Sequence, residues 1–263
     1  MQDYWVRQTP GEPLFSDLLW SRPESRKAAG KLLIVGGNAH GFAAAAEAYA
    51  QAEKAGVGTA RVLLPDSLQK TVGKVLAAGE YAPSTPSGSF SQRAMAELLA
   101  LGQWADGVLL AGDLGRNSET AILLEQFIQK YDGQLTIAQD ALDYFTKSPP
   151  NLLSRENSLL VASFAQLQKM AAGAGFITAF TFDMSLLRLV EALHGFSQKH
   201  PAAIIVKHLD IIFVAVNGQV STTKLKEDQE IWRVKAAAHA AVWWLQNPTK
   251  PFEALTTALH ETV

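Results

Sequence analysis

The chain has 263 residues, 48% of them apolar and 18% charged, and it contains no cysteine. That composition supplies a sizeable core and excludes an intrinsically disordered chain, disulfide staples, thiolate metal sites and a cysteine nucleophile. Its 23 basic and 25 acidic residues leave a net charge of −2, which argues against a nucleic-acid grip through a basic face.

The first residues, MQDYWVRQTPGEP, have neither the basic stub nor the apolar stretch of a secretory signal. No uncharged apolar run approaches the roughly 18 residues needed to cross a bilayer. The expectation is a soluble, cytoplasmic protein without membrane or nucleic-acid partners, built as a single domain over 1–263 with 1–21 as an N-terminal extension.

Short apolar runs then alternate with helical patterns. Lys31–Gly37, Ala60–Pro65, Gly107–Gly112, Leu135–Gln139, Ser158–Ala162, Ala202–Lys207 and Ile211–Val216 read as strands. Most are continuously apolar, as expected for strands covered on both faces. The intervening helical patterns are Phe42–Ala55, Leu68–Ala78, Gln92–Gln103, Ser118–Tyr131, Ser163–Ala172, Met184–Gln198, Ile231–Gln246 and Phe252–His260. Asn117 or Ser118 starts one of them, and Asp183 is the expected N-cap of another, with Gly195 near its end. Such alternation implies a three-layer α/β/α architecture around a mostly parallel sheet. Asn217-Gly218 between IIFVAV and QVSTT predicts an antiparallel hairpin at the sheet edge. Glu80–Ser91, rich in Pro, Ser and Gly, is a loop that reads as a connector or a surface lid, the connector preferred.

Two glycine turns carry the candidate chemistry. Gly36-Gly37-Asn38-Ala39-His40-Gly41 follows a strand and opens a helix, so its N–H groups suit a phosphate; a plain β–α turn explains the same residues. Asn38 stands where a dinucleotide fingerprint has its second glycine. In Gly112-Asp113-Leu114-Gly115-Arg116, Arg116 offers a cation to an anion while Asp113 repels one, and a structural turn is the preferred reading. Asp140 and Asp143 are spaced to act as acid and base or, as preferred, to cap a helix. The six histidines never fall at metal-ligand spacing, and Ser89 lacks the framing of a nucleophile elbow, so no metal site is predicted. Lys224–Glu230 reads as a solvated stretch. Ile231, Val234, Ala238, Val242 and Leu245 form one core face, leaving Trp232, Trp243 and Trp244 to a subunit contact or a second core layer.

From about Arg22 to His260, these pieces in this order resemble the ADP/ATP-dependent NAD(P)H-hydrate dehydratases, a branch of the ribokinase-like superfamily. Lys27, Gly30, Gly36, Gly37, Gly56, Gly58 and Pro65 match that family's opening unit. LLAGDLGR is similar to its Gly-Pro-Gly-Leu-Gly-Arg turn, IAQDAL to its Asp-Ala-Asp-Ala-Leu strand end, IIVKHLDI to its Lys-Gly-x-x-Thr strand end and PFEALTTALH to its closing helix. The resemblance implies a ribokinase-like fold, ATP or ADP with magnesium as the cofactor, and assembly into homo-oligomers.

The departures fall where the resemblance places the chemistry. Ala111, Gly112 and Asp113 replace the first half of the glycine turn, Ala138 the first aspartate, Ser163 and Gln166 a His and a Glu, and His208 and Ile211 a Gly and a Thr. The family's Gly-x-Gly-Asp signature, an anion hole with its catalytic base, corresponds to Glu230-Ile231-Trp232-Arg233, and no glycine follows Gly218. Losing a general base costs about 10²–10⁴-fold in rate, and losing oxyanion-type donors a further 10²–10³-fold or so. The favoured reading is a catalytically inactive relative acting as a ligand-binding, regulatory or assembly protein. The alternative is a nucleotide-dependent dehydratase or small-molecule kinase with a rebuilt site, with Asp140 as base and Lys207 and Arg116 holding phosphate. In either reading Gly36, Gly37, Asn38, His40, Asp113, Gly115, Arg116 and His208 are the candidate ligand-binding residues.

Overall fold

The computed structural model describes residues 3–9, 11–74, 76–225 and 232–262. In chain order the elements are β1 (Trp5–Gln8), α1 (Asp17–Trp20), β2 (Lys31–Gly36), α2 (Ala43–Lys54), β3 (Thr59–Pro65), α3 (Gln69–Val72), β4 (Gly79–Ala82), α4 (Met95–Trp104) and β5 (Gly107–Gly112). They continue with α5 (Ser118–Lys130), β6 (Gln134–Ala138), α6 (Pro149–Leu153), β7 (Ser158–Ala162), α7 (Phe164–Gly173), α8 (Leu186–Lys199) and β8 (Ala203–His208). The chain closes with β9 (Ile211–Val216), β10 (Gln219–Lys224), α9 (Trp232–Gln246) and α10 (Pro251–Thr262).

All ten strands form one sheet in the order β1-β10-β9-β8-β7-β6-β5-β2-β3-β4. Pairing is parallel except at β8–β9 and β9–β10. The predicted hairpin is present, its turn made by Asn217 and Gly218 at φ 47° and 81°. The N-terminal segment then lays β1 alongside β10 in parallel, so β1 lies outside the hairpin. Residues alternate between two cores. Leu33, Val35, Leu110 and Ile137 face α4, α5, α7 and α8, whereas Leu32, Ile34, Leu109 and Ala138 face α2, α9 and α10.

Several local expectations are corrected. The N-cap of α8 is Ser185, whose hydroxyl accepts the Arg188 N–H, and not Asp183. The predicted helix over 68–78 shortens to a 3₁₀ turn and α3, because Thr71 turns its hydroxyl back onto the Leu68 carbonyl and Gly73 follows. Trp243 and Trp244 are buried against the sheet and give the second core layer, not an open subunit contact. Trp243 donates its indole N–H to His239 Nε2 at 3.0 Å. Among the described residues no helix is long and apolar enough to cross a membrane.

The strand order fixes where a site belongs. From β5 the chain winds outward through β6, β7 and β8, and from β2 it winds the other way through β3 and β4. The order therefore reverses between β2 and β5, and in open α/β sheets ligands bind beyond the carboxyl ends of strands at such a reversal.

Candidate functional site

The turns leaving β2 and β5 meet at this reversal. A Cβ on Gly36 would stand 2.6 Å from the Gly112 carbonyl, so glycine is required where the two strands close together. Gly37, at φ 89°, donates its N–H to that same carbonyl at 3.0 Å. Asn38 folds into a local turn, accepting the His40 N–H at 2.8 Å and donating its amide to the Asp113 carbonyl at 2.6 Å. His40 and Arg116 are exposed.

What fills the turns is the chain's own carboxylates. Asp113, held at φ 57°, turns its side chain onto the N-terminus of α2 and accepts the Ala44 N–H at 2.7 Å. Asp140 reaches from the 3₁₀ helix Gln139–Phe145 to accept the Leu114 N–H at 3.1 Å. Burial chiefly, and the Asp113 charge next, raise the Asp140 pKa, while the N–H groups of residues 113–115 oppose the shift. The second oxygen of Asp140 is buried without a partner. Asp140 is thus not a helix cap, and it does not pair with Asp143, whose carboxylate accepts from Gln166 Nε2 at 3.0 Å.

Gln166 ties the floor of the site together. It completes a capping box with Ser163 at the start of α7 and donates to the Gln139 carbonyl at 2.8 Å. Its own carbonyl accepts from Arg233 Nη1 at 3.0 Å, at the start of α9. Burial lowers the Arg233 pKa, and the Asp143 and then Asp140 charges raise it. A guanidinium therefore stands near these two carboxylates. Glu230 and Ile231, and the side chain of Trp232, lie outside the described residues.

The loop after β4 packs over this edge as a strap. The Gly88 carbonyl accepts the Ala39 N–H at 2.9 Å and the Ser67 hydroxyl at 3.0 Å, and Ser87 accepts from Asn117 Nδ2 at 3.0 Å. Phe90 and Ser89 are buried. At the far end of the rim, Lys207 is half-buried on β8, while His208 is 5% exposed between Phe164 and Phe182, with ring centroids 4.6 and 4.9 Å away. Neither imidazole nitrogen has a hydrogen-bond partner, and burial lowers the His208 pKa.

Asp113, Gln139 and Leu209, at the carboxyl ends of β5, β6 and β8, hold φ of 57°, 54° and 53°. Such backbone strain in non-glycine residues gathers at functional edges. No sequence signal marks Gln139 or Leu209. The Ser-Gly-Ser of the strap is the one local sign that the loop turns back. Among the described residues, no group of three His, Asp or Glu side chains is placed to hold a metal ion.

No protein-family profile and no curated protein matches the chain. Solved structures do. A ribokinase-like superfamily protein from Enterococcus faecalis superposes with a TM-score of 0.74 at 13% identity, over 100% of this chain and 87% of that one. The ADP/ATP-dependent NAD(P)H-hydrate dehydratase from Bacillus subtilis, co-crystallised with ATP and Mg²⁺, gives 0.65 at 12% identity, over 95% and 87%. Phosphomethylpyrimidine kinase from Clostridium difficile gives 0.53 at 10% identity, over 87% and 96%. The sheet order, the layers and these superpositions together give the chain a ribokinase-like α/β/α fold.

Proposed function

We propose that this protein is a catalytically inactive member of the ribokinase-like group, keeping the scaffold as a ligand-binding, regulatory or assembly protein without nucleotide-driven chemistry. The observation that carries this reading is the Asp113 carboxylate on the Ala44 N–H. A phosphate at the N-terminus of α2 would meet an anion already bonded there, and at these separations like charges repel strongly. Asp140 stands likewise against the Leu114 N–H.

ATP with magnesium does not fit these residues. At the two described turns the Ala44 and Leu114 N–H groups are committed to carboxylates, and at the start of α9 the Arg233 guanidinium stands where the resemblance requires a carboxylate base. Phosphoryl transfer depends on positioning and on donors aimed at the developing charge, and among the described residues these two turns offer their N–H groups to internal carboxylates instead.

The test is to assay the purified protein for nucleotide-dependent dehydration of hydrated NADH and for phosphoryl transfer, and to titrate it with ATP, ADP, AMP and NADPH. No turnover is expected under any nucleotide. Sustained ATP- or ADP-dependent dehydration would overturn the reading.

A further inference from the structure

We propose that the amino-terminal end of the sheet, opposite the turns leaving β2 and β5, carries a binding site for a linear aliphatic triamine. Two cavities of about 230 and 380 Å³ open there, and Trp244, near the end of α9, walls both. Glu156, just before β7, lines the first. Asp106, Gln134 and Asn157, where β5, β6 and β7 begin, line the second. The registers Gly107↔Gln134 and Leu135↔Ser158 set Asp106 and Glu156 level with each other, two strand spacings or about 10 Å apart at the backbone.

The occupant follows from what the walls offer. Asp106 commits one oxygen to the Lys31 N–H at 2.8 Å and keeps the other. Gln134 and Asn157 donate their amides to the Ala241 and Asp132 carbonyls at 3.2 and 3.3 Å, which leaves their side-chain oxygens to accept. Glu156 is exposed and has no hydrogen bond or ion pair among the described residues. No Lys or Arg lines either cavity. The neighbouring cations are engaged elsewhere: Arg155 on the Tyr131 and Gly133 carbonyls, Lys250 on Asp17, and Lys31 Nζ over the Trp104 ring. Ammonium groups joined by methylenes match this pattern, one for each carboxylate, with the chain running across an indole that itself attracts cations. Trp244 is 4% exposed, and its indole N–H has no acceptor among the described residues. The middle nitrogen of a triamine answers it. Flanked by two ammonium groups, that nitrogen gives up its proton most readily, and its lone pair then accepts the N–H. The inference is independent of whether the site at the carboxyl ends of the strands binds or turns over any ligand.

Calorimetric titration of spermidine into the full chain tests it. One-to-one binding is expected. Glu156→Gln and Asp106→Asn, both at exposed positions, each weaken it about tenfold. Glu125→Gln on α5 makes the same change in net charge and leaves the affinity unaltered. 1,8-Diaminooctane, with a methylene in place of the middle nitrogen, binds more weakly than spermidine, and that preference vanishes in Trp244→Phe, with far-UV circular dichroism unchanged throughout. Absence of binding heat would overturn the proposal. So would equal losses in Glu156→Gln and Glu125→Gln, which would reduce the effect to net charge. Equal affinity for spermidine and 1,8-diaminooctane, or a preference kept in a folded Trp244→Phe, would overturn it as well.

Discussion

The carboxylate of Asp113, at the end of β5, accepts the backbone N–H of Ala44 at 2.7 Å in the first turn of the helix that follows β2. A residue from one half of the sheet thus caps a helix belonging to the other half, at the point where the strand order reverses. Removing such a cap costs about 1 kcal/mol. Asp113→Ala therefore lowers the unfolding free energy read from urea denaturation by that amount or more, because alanine also tolerates the φ of 57° poorly. Asp113→Gly loses the cap but relieves the backbone, so it costs less than alanine. Equal stability for Asp113→Ala and the natural protein would refute the capping role.

Asp140 makes stability depend on pH in a stated direction. Its folded pKa lies above the unfolded value of 3.8, through burial first and Asp113 second. Its contribution is therefore most favourable below pH 3.8 and declines as pH rises through the folded value. Asp140→Asn removes that decline and keeps an oxygen for the Leu114 N–H. The melting temperature of the variant, relative to the natural protein, should climb from pH 3.8 upward; a difference constant with pH would contradict the assignment.

His208 acts with the opposite sign. Burial holds its folded pKa below the unfolded 6.5, so the neutral ring's contribution is complete above pH 6.5 and is lost as pH falls below it. In His208→Phe this acid-side loss shrinks. His200, lowered by burial and then by Lys199, leaves a residual slope of the same sign. Melting curves from pH 8 down to pH 5 read the difference, and an unchanged slope would show that the imidazole is not held neutral.

Gly88 fastens the strap. At φ 80°, a Cβ there would stand 2.2 Å from Ala39 Cβ, and Ala39 is bonded to the Gly88 carbonyl. Gly88→Ala is expected to cost about 1–3 kcal/mol in chemical denaturation, from strain and overpacking together. A neutral outcome would mean that the strap is loosely held.

The central strands were legible because runs such as LLIV and VLLA are short, continuously apolar and set between helical patterns, as strands covered on both faces are. β1 was not legible. WVRQ carries no strand pattern, and it is held by distant partners: Trp5 donates to Thr222 Oγ1 at 3.1 Å, and Gln8 to Thr223 Oγ1 at 3.1 Å and the Thr256 carbonyl at 2.8 Å. At the site, the glycine turns were readable but their content was not. A phosphate cradle and a self-capped turn share the same local sequence. The residues that decide between them, Asp113 on Ala44 and Asp140 on Leu114, are 69 and 26 positions apart. The Ser163–Gln166 capping box was also written locally, yet its Gln166 side chain also serves Asp143 and Arg233, and the Arg233 link spans 67 positions.

The most direct measurement is calorimetric titration of magnesium–ATP into the natural protein and into an Asp113→Gly/Asp140→Asn double variant. If internal carboxylates fill the anion sites, the natural protein gives no binding heat and the double variant gains affinity for the triphosphate. Tight binding by the natural protein, weakened in the variant, would contradict the account.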